Sequence, residues 1–364
     1  MGIFHVPTPK NEPVYNYAPG SPERAALQKA IADLKSQKIE VPLFIGGKEI
    51  RTDQKVEIRA PHNHKLVLGH YCQAGPNEIK QAVESAVEAQ SGWAAMPWEH
   101  RAAIFLKAAD LLAGPYRYIM NAATMLTHSK NAYQAEIDAV CELVDFWRFN
   151  AWYMQQIYQI QPDSAATTWN RTDHRPLEGF VFCVSPFNFV SINGNLPTAP
   201  AMLGNVAVWK PASTVAYTSH IIMKILREAG LPAGVINLIF ARGSQIGDLV
   251  LKHRDLAGIH FTGSTSVFQQ MWKTIGDNIA GYKSYPRIVG ETGGKDFIVA
   301  HSSANIPALA TAISRGAFEY QGQKCSAASR AYIPKSIWPA VKQIVCTQVK
   351  DMRMGDPEDF GNFI

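Results

Sequence analysis

Three stretches of the chain hold residue types that could react together. Phe318 to Ser329 reads FEYQGQKCSAAS and sets Cys325 among small and polar residues, Gly322, Gln323, Lys324 and Ser326. Val289 to Lys295 reads VGETGGK and carries Glu291 close to the pair Gly293-Gly294. Val184 to Phe189 reads VSPFNF and carries Asn188. A thiol can add to a carbonyl carbon, a carboxylate can activate water, and a side-chain amide can donate to a developing oxyanion. Together these are the parts needed to oxidise an aldehyde through a thioester. Each also has a plainer reading. A lone cysteine is most often structural, and it becomes a nucleophile only with access and a lowered pKa. Lys324 adjoins Cys325, but neighbours in a chain often point apart. Glu291 alone reads as a surface acid, although two glycines let the backbone pass close to a ligand.

Two further segments could hold a dinucleotide. FTGSTSV (261–267) ends a strand in Thr-Gly-Ser before a helix. Backbone N–H groups at the positive end of that helix suit a pyrophosphate. The segment is not GxGxxG, so the usual fingerprint is absent, and a plain strand–helix turn fits it too. Lys210 ends the apolar run VAVWKP. It could hydrogen-bond a cofactor ribose or be a solvated strand end.

The elements that must position these groups change character along the chain. Residues 1 to about 20 hold Pro7, Pro9, Pro13 and Pro19 and predict an extended arm. Ser21-Pro22 predicts a helix start, with the helix running to about Gln37. VPLFIGGKEIR (41–51) predicts a hairpin turning at Gly46-Gly47, and Leu66 to Cys72 a short strand. From Pro76 to about Tyr158 the apolar spacing is helical. Phe146, Trp147, Phe149 and Trp152 in its last segment read as core packing. Residues 159 to 177 read as a loop or an edge hairpin. Beyond Gly179, β-rich runs (180–184, 206–209, 235–240, 258–261, 296–300) alternate with helices near 196–203, 214–229, 245–252 and 265–280. Ser213 is the expected N-cap of the second helix and Gly230 its stop signal. Such alternation predicts a parallel, doubly wound α/β sheet, which binds ligands beyond the carboxyl ends of its strands. The segments carrying Ser185 to Asn188, Lys210 and Gly263 to Thr265 follow such ends.

Bulk properties exclude several classes. The chain has 364 residues, 47% of them hydrophobic, and a net charge of +5 from 35 basic and 30 acidic residues. No dense basic run interleaves with aromatics, so nucleic acid is not an expected partner. No apolar run approaches a membrane span. The five cysteines are widely spaced, without a CxxC pair, and their odd number argues against a disulfide framework and suggests a reducing compartment. The N-terminal residues lack the pattern of a secretory or transit leader. A bacterial cytoplasm is therefore the expected location, with the mitochondrial matrix as the alternative.

Taken in order, SPFNF, WKPA, GLPAGVINLI, FTGS, ETGGK and GQKCS form a specific series. It resembles the motif series of the aldehyde dehydrogenase superfamily, from about Val41 to the last residue. Within it, ELVDFWRFNAWY (142–153), LEGFVFCVSPFNF (177–189), GETGGK (290–295), FEYQGQKCSAASRAYIP (318–334) and the N-terminal residues 11–30 are most similar to the 1-pyrroline-5-carboxylate (glutamate-γ-semialdehyde) dehydrogenases. The resemblance implies an NAD-binding domain over about 41–290, preceded by an arm and helix over 1–40, and the opening part of a catalytic domain over 291–364. It implies Cys325 as nucleophile, Glu291 as base and Asn188 as oxyanion donor. Ser185, Phe187, Lys210, Gly263, Ser264, Thr265, Ser266 and Val267 fall at NAD-contacting positions. Glu142, Phe189 and Ser326 fall at substrate-lining positions, Ser326 near the substrate carboxylate. The implied activity is NAD-dependent oxidation of glutamate γ-semialdehyde to glutamate in proline breakdown, by a homo-oligomer that needs no metal. Ala328 stands where close relatives often carry a second cysteine. Relatives continue well past the position of Ile364, so a fragment or truncated product is expected. An aldehyde dehydrogenase for another substrate and a silent NAD-binding fragment are the alternatives.

Overall fold

The computed structural model describes residues 4–364. Met1 to Ile3 of the expected arm lie outside the described residues. The rest of the arm lies against the helical region. The Tyr15 amide and the Tyr17 hydroxyl both donate to Glu136, 3.0 and 2.6 Å away, and Asn121 and Arg117 donate to the same buried carboxylate. A buried carboxylate needs such donors. The first helix, Pro22–Ser36, is capped by the Ser21 hydroxyl, which accepts from the Arg24 amide.

Three sheets follow. Strands β1 (Ile39–Val41), β4 (Lys55–Ala60) and β5 (Asn63–Cys72) form the first, with β5 central. Strand β4 has no counterpart in the sequence reading. Strands β2 (Leu43–Ile45) and β3 (Lys48–Ile50) are the expected hairpin, with Gly46 and Gly47 at positive φ in its turn. They complete the main sheet with β6 (Phe180–Ser185), β7 (Val206–Pro211), β8 (Ile236–Leu238), β9 (Leu256–Gly263) and β10 (Arg287–Thr292), in the order β10-β9-β6-β7-β8-β2-β3. The five strands from β6 to β10 pair in parallel, and β2 pairs antiparallel with β8. The burial of all but Val184 and Lys210 in β6 and β7 explains their continuous apolar runs.

The doubly wound α/β architecture is therefore present, with three local differences. Arg287–Thr292 is an edge strand, so Glu291 sits on the main sheet rather than in a glycine loop. The run 296–300 does not extend that sheet. Its core, β11 (Phe297–Val299), pairs in parallel with β12 (Arg330–Tyr332) in a separate two-stranded sheet. Ser213 is not an N-cap: it opens a short 3-10 turn, and the α-helix proper runs Ala216–Ala229. Gly230 does end that helix, at φ 103°.

The small sheet packs on helices Ile306–Phe318 and Trp338–Asp351 around Leu309, Ala310, Ile337 and Val341. This cluster is separate from the large core that runs through the main sheet and its helices.

Candidate active site

Cys325, Glu291 and Asn188 come from elements far apart in the chain, and the fold brings them to one place. Glu291 projects near the carboxyl end of β10, in register with Thr262 of β9. Asn188 lies between the end of β6 and the helix Val190–Met202. Its amide Nδ2 donates to the Gln323 carbonyl, 2.9 Å away and two residues before the cysteine. Its Oδ1 is buried without a protein partner. Cys325 and Glu291 line the same cavity walls, and the Glu291 carboxylate acts on the thiol.

Backbone geometry makes this convergence possible. A Cβ on Gly294 would fall 1.8 Å from the Cys325 carbonyl oxygen, so only glycine lets the ETGGK segment lie against the cysteine. On the other side, Tyr320 and Gln321 adopt left-handed backbone angles, φ 50° and 53°. Non-glycine residues held there store strain, which collects at functional sites.

The resting thiol is not a thiolate. Burial and the Glu291 carboxylate push Cys325 up to about 11, while backbone N–H groups of Ser326 and Cys325 pull it down. The lowered pKa that a free nucleophile would need is absent. The Glu291 carboxylate lines the same cavity as the thiol. Lys324 contributes little, because its ammonium turns away to Glu319, 3.0 Å off.

Two cavities meet at this point. The first, about 480 Å³, is lined by Ser185, Phe187, Asn188, Lys210, Gly263, Ser264 and Val267, and it reaches Glu291, Gly293, Gly294 and Cys325. The helix Thr265–Asp277 starts at its wall, with Ser264 as N-cap. Those N–H groups and the glycine pair are a cradle that fits a dinucleotide. Thr265 and Ser266 lie in the first turn of the helix, exposed, and are not part of the lining. The Ser185 hydroxyl donates to Asn193 and accepts from Trp209 Nε1, and its carbonyl accepts from the Ala212 amide, 3.0 Å away. Burial lowers the Lys210 pKa from the ordinary lysine value.

The second cavity, about 500 Å³, opens on the other side of Cys325 and Glu291. Glu142, Phe189 and Ser326 line it, together with Phe146, Ile192, Asn195 and His260. Phe146 is therefore a cavity residue, not core. Its signal was available: it lies four residues after Glu142, hence on the same helix face. Trp147 is the core residue of that group, fully buried and donating to Thr198. Burial and the nearby Asp138 push the Glu142 carboxyl up to about 7, against the Ser191 hydroxyl that hydrogen-bonds it. A larger cleft, about 850 Å³, lies between residues 173–178 and 279–287, and neither Cys325 nor Glu291 lines it.

Residues 49–364 match the aldehyde dehydrogenase family. The chain belongs to that family. Among its relatives, the delta-1-pyrroline-5-carboxylate dehydrogenase of Agaricus bisporus is 48% identical over 367 residues, covering 100% of this chain and 67% of that protein. The mitochondrial enzyme of the same name from Dictyostelium discoideum is 49% identical over 363 residues, 99% of this chain and 65% of the relative. The crystal structure of the Mycobacterium tuberculosis delta-pyrroline-5-carboxylate dehydrogenase bound with NAD superposes with a TM-score of 0.97 at 52% identity, over 100% of this chain and 68% of the other. The chain thus spans about two thirds of the length of these aldehyde dehydrogenases.

Proposed function

We propose that this protein oxidises L-glutamate γ-semialdehyde, formed from 1-pyrroline-5-carboxylate, to L-glutamate with NAD, the second step of proline breakdown. One observation carries the chemistry: Cys325, Glu291 and Asn188 meet where a dinucleotide-sized cavity joins a second cavity. Relatives named for this substrate, one of them crystallised with NAD, supply its identity.

The chain's residues divide the work. Glu291 takes the Cys325 proton as the sulfur adds to the aldehyde carbon, so the thiolate forms only with substrate in place. The second N–H of Asn188 Nδ2 and the Cys325 backbone N–H are the donors for the oxyanion of the thiohemiacetal. Bound NAD supplies a hydride acceptor. The thiohemiacetal carbon thereby becomes a Cys325 thioester. Once the first proton has passed to solvent, Glu291 draws a proton from the water that attacks the thioester; cleavage of the carbon–sulfur bond releases glutamate, and Glu291 returns that proton to the Cys325 sulfur. On the cofactor side, Phe187, Lys210, Gly263, Ser264 and Val267 hold the dinucleotide, with Ser185 at the cavity wall and Thr265 and Ser266 acting through the first turn of their helix. On the substrate side, Phe189, Phe146 and Glu142 shape the cavity, and Ser326 offers the entering carboxylate a donor.

Replacing Cys325 by Ala in the full-length protein should abolish NADH formation from glutamate γ-semialdehyde. Retained turnover would remove Cys325 from the reaction. Aldehydes with and without the α-carboxylate, tested side by side, separate this substrate from others. A second reading, NAD binding without turnover, draws on the exposed Phe297, Val299 and Tyr332 of the sheet beside the site. Tight NAD binding with no NADH formed by the 364-residue chain would favour it. Two reducing compartments are compatible with five free cysteines, a bacterial cytoplasm or the mitochondrial matrix, and the Dictyostelium relative is named as mitochondrial. Cell fractionation distinguishes them.

A further inference from the structure

Beneath both cavities lies an ion pair that the reaction does not use. Lys130 and Asp138 are each 1% exposed and in direct contact. Moving two charges into a protein interior costs more than their attraction returns unless further hydrogen bonds satisfy them, so such a pair invites the question of what it holds. Asp138 accepts from the backbone amides of Val190 and Ser191 (3.3 and 3.4 Å) and from the Ser191 hydroxyl (2.9 Å). It therefore anchors the N-terminus of the helix that begins two residues after Asn188. The same Ser191 hydroxyl lies 2.9 Å from Glu142. Lys130 faces two rings at once. Its Nζ lies 4.6 Å from the centroid of Phe189, the residue after Asn188, and 4.5 Å from that of Tyr320, five residues before Cys325. Cation–π contacts are strongest when desolvated, as here. Tyr320 is one of the two strained left-handed residues that turn the chain into the cysteine loop. The charged groups acting on Lys130 are Asp138 and Glu142, with Lys324 opposing them.

We propose that the Lys130–Asp138 pair is a positioning device that pins the Asn188 segment to the Cys325 loop and so fixes the distance between oxyanion donor and nucleophile. The inference rests on the reaction assigned above, but one of its readouts does not. Neither residue touches the reacting atoms. Asp138 sets the strand-to-helix turn that presents Asn188, and Lys130 bridges that turn to Tyr320 and hence to the cysteine loop. The hydrogen bond from Asn188 to the Gln323 carbonyl closes the same circuit on the surface side.

The test compares the full-length parent with the double variant Lys130→Met/Asp138→Asn, which removes both charges and keeps the volume, and with Lys130→Arg, which keeps the cation. Thermal unfolding, kcat and KM for glutamate γ-semialdehyde, and the rate of Cys325 alkylation by iodoacetamide are measured. A misplacement of about 1 Å can cost about 10²-fold in rate. The double variant, folded, should accordingly lose at least about tenfold in kcat with KM within about threefold. Its alkylation rate should depart from the parent's, and Lys130→Arg should recover part of both losses. A folded double variant with kcat and alkylation within about twofold of the parent overturns the proposal, as does a change confined to KM. Should the double variant fail to fold, Tyr320→Leu carries the same readouts with the ion pair intact, and unchanged values there overturn it equally. A parent that alkylates at Cys325 yet forms no NADH from this aldehyde speaks against the assigned substrate, and the alkylation comparison still decides the positioning role.

Discussion

At the scale of single residues, the site works by sharing a proton. Cys325 is held protonated near neutral pH by burial and by the nearby Glu291, whose carboxylate opposes a second negative charge. Replacing Glu291 by Gln removes that charge, so the thiol pKa must fall toward its ordinary value. The pH midpoint of Cys325 alkylation by iodoacetamide in the NAD-free protein should move to lower pH in Glu291→Gln. A midpoint that stays put or rises would show that the carboxylate does not govern the thiol. Hydrolysis of the thioester should fail in the same variant, because the water loses its base. Gly294 is the second residue-scale requirement. In Gly294→Ala the added methyl meets backbone, the Cys325 carbonyl, which cannot swing aside as a flexible side chain could. The cysteine loop must then shift. A loss of about 10²-fold in kcat is expected, and a Gly294→Ala enzyme with parental kcat would show that the close approach is not needed.

At the scale of elements, what could be read from the chain and what could not have different causes. The strands β6, β7 and β9 announced themselves because buried parallel strands are continuous apolar runs. Cys325, Asn188 and Lys210 were legible because they interrupt or follow such runs with chemistry that packing does not call for. Strand β10 was hidden: RIVGET is an edge strand whose Arg287, Val289, Gly290 and Glu291 are exposed, so it shows neither an apolar run nor a clean alternation. Its glycine is set by Phe268, whose ring a Cβ at Gly290 would strike at 2.3 Å, a tertiary fact with no local signature. The Lys130–Asp138 pair was equally silent, since a buried charge looks like any other charge in a sequence. The helical segment carrying Glu142 was foreseen as helix, but Glu136–Glu142 is a π-helical turn, a form concentrated at functional sites. That turn delivers Glu142 into the cavity with its carboxyl raised to about 7. The sign of the consequence follows from linkage. The folded protein holds a proton on Glu142 that the unfolded chain has released above the ordinary value of 4.5, so Glu142 lowers stability progressively as pH rises from about 4.5 to about 7. Glu142→Gln, which keeps the shape and cannot ionise, should raise the unfolding temperature above pH 7 more than below pH 4.5. An equal shift at both ends would assign the effect to packing rather than charge.

At the scale of the whole molecule, the site straddles two bodies of unequal strength. Cofactor-side groups stand on the seven-stranded sheet, inside a core that runs from the N-terminal arm to Ile275. The nucleophile stands on the small body, whose sheet is two strands of three residues and whose core is four buried side chains. One face of that sheet is open: Phe297, Val299 and Tyr332 are 62%, 69% and 50% exposed. Local opening free energies follow buried apolar contact, so they must differ between the two bodies. The ties across the junction include Asn188 to Gln323, Gln134 to Glu319, Lys130 to the Tyr320 ring, Asn131 to the Phe363 carbonyl, the Lys35–Glu358 ion pair and the Gly294 approach to Cys325. Native-state hydrogen exchange on the 364-residue chain should therefore show the amides of β11, β12 and the helix Trp338–Asp351 exchanging well before those of β6, β7 and β9. The cavity proposed for NAD is lined mainly by the large body but extends across the junction to Gly322 and Cys325. A ligand that favours the closed arrangement stabilises whatever it bridges, by about 2.7 kcal/mol at a hundred times its Kd. Saturating NAD should consequently slow exchange in the small body as well as around β9. Uniform exchange across both bodies without NAD would mean that they open as one unit. Protection confined to the large body on adding NAD would mean that the cofactor does not couple the nucleophile to the sheet.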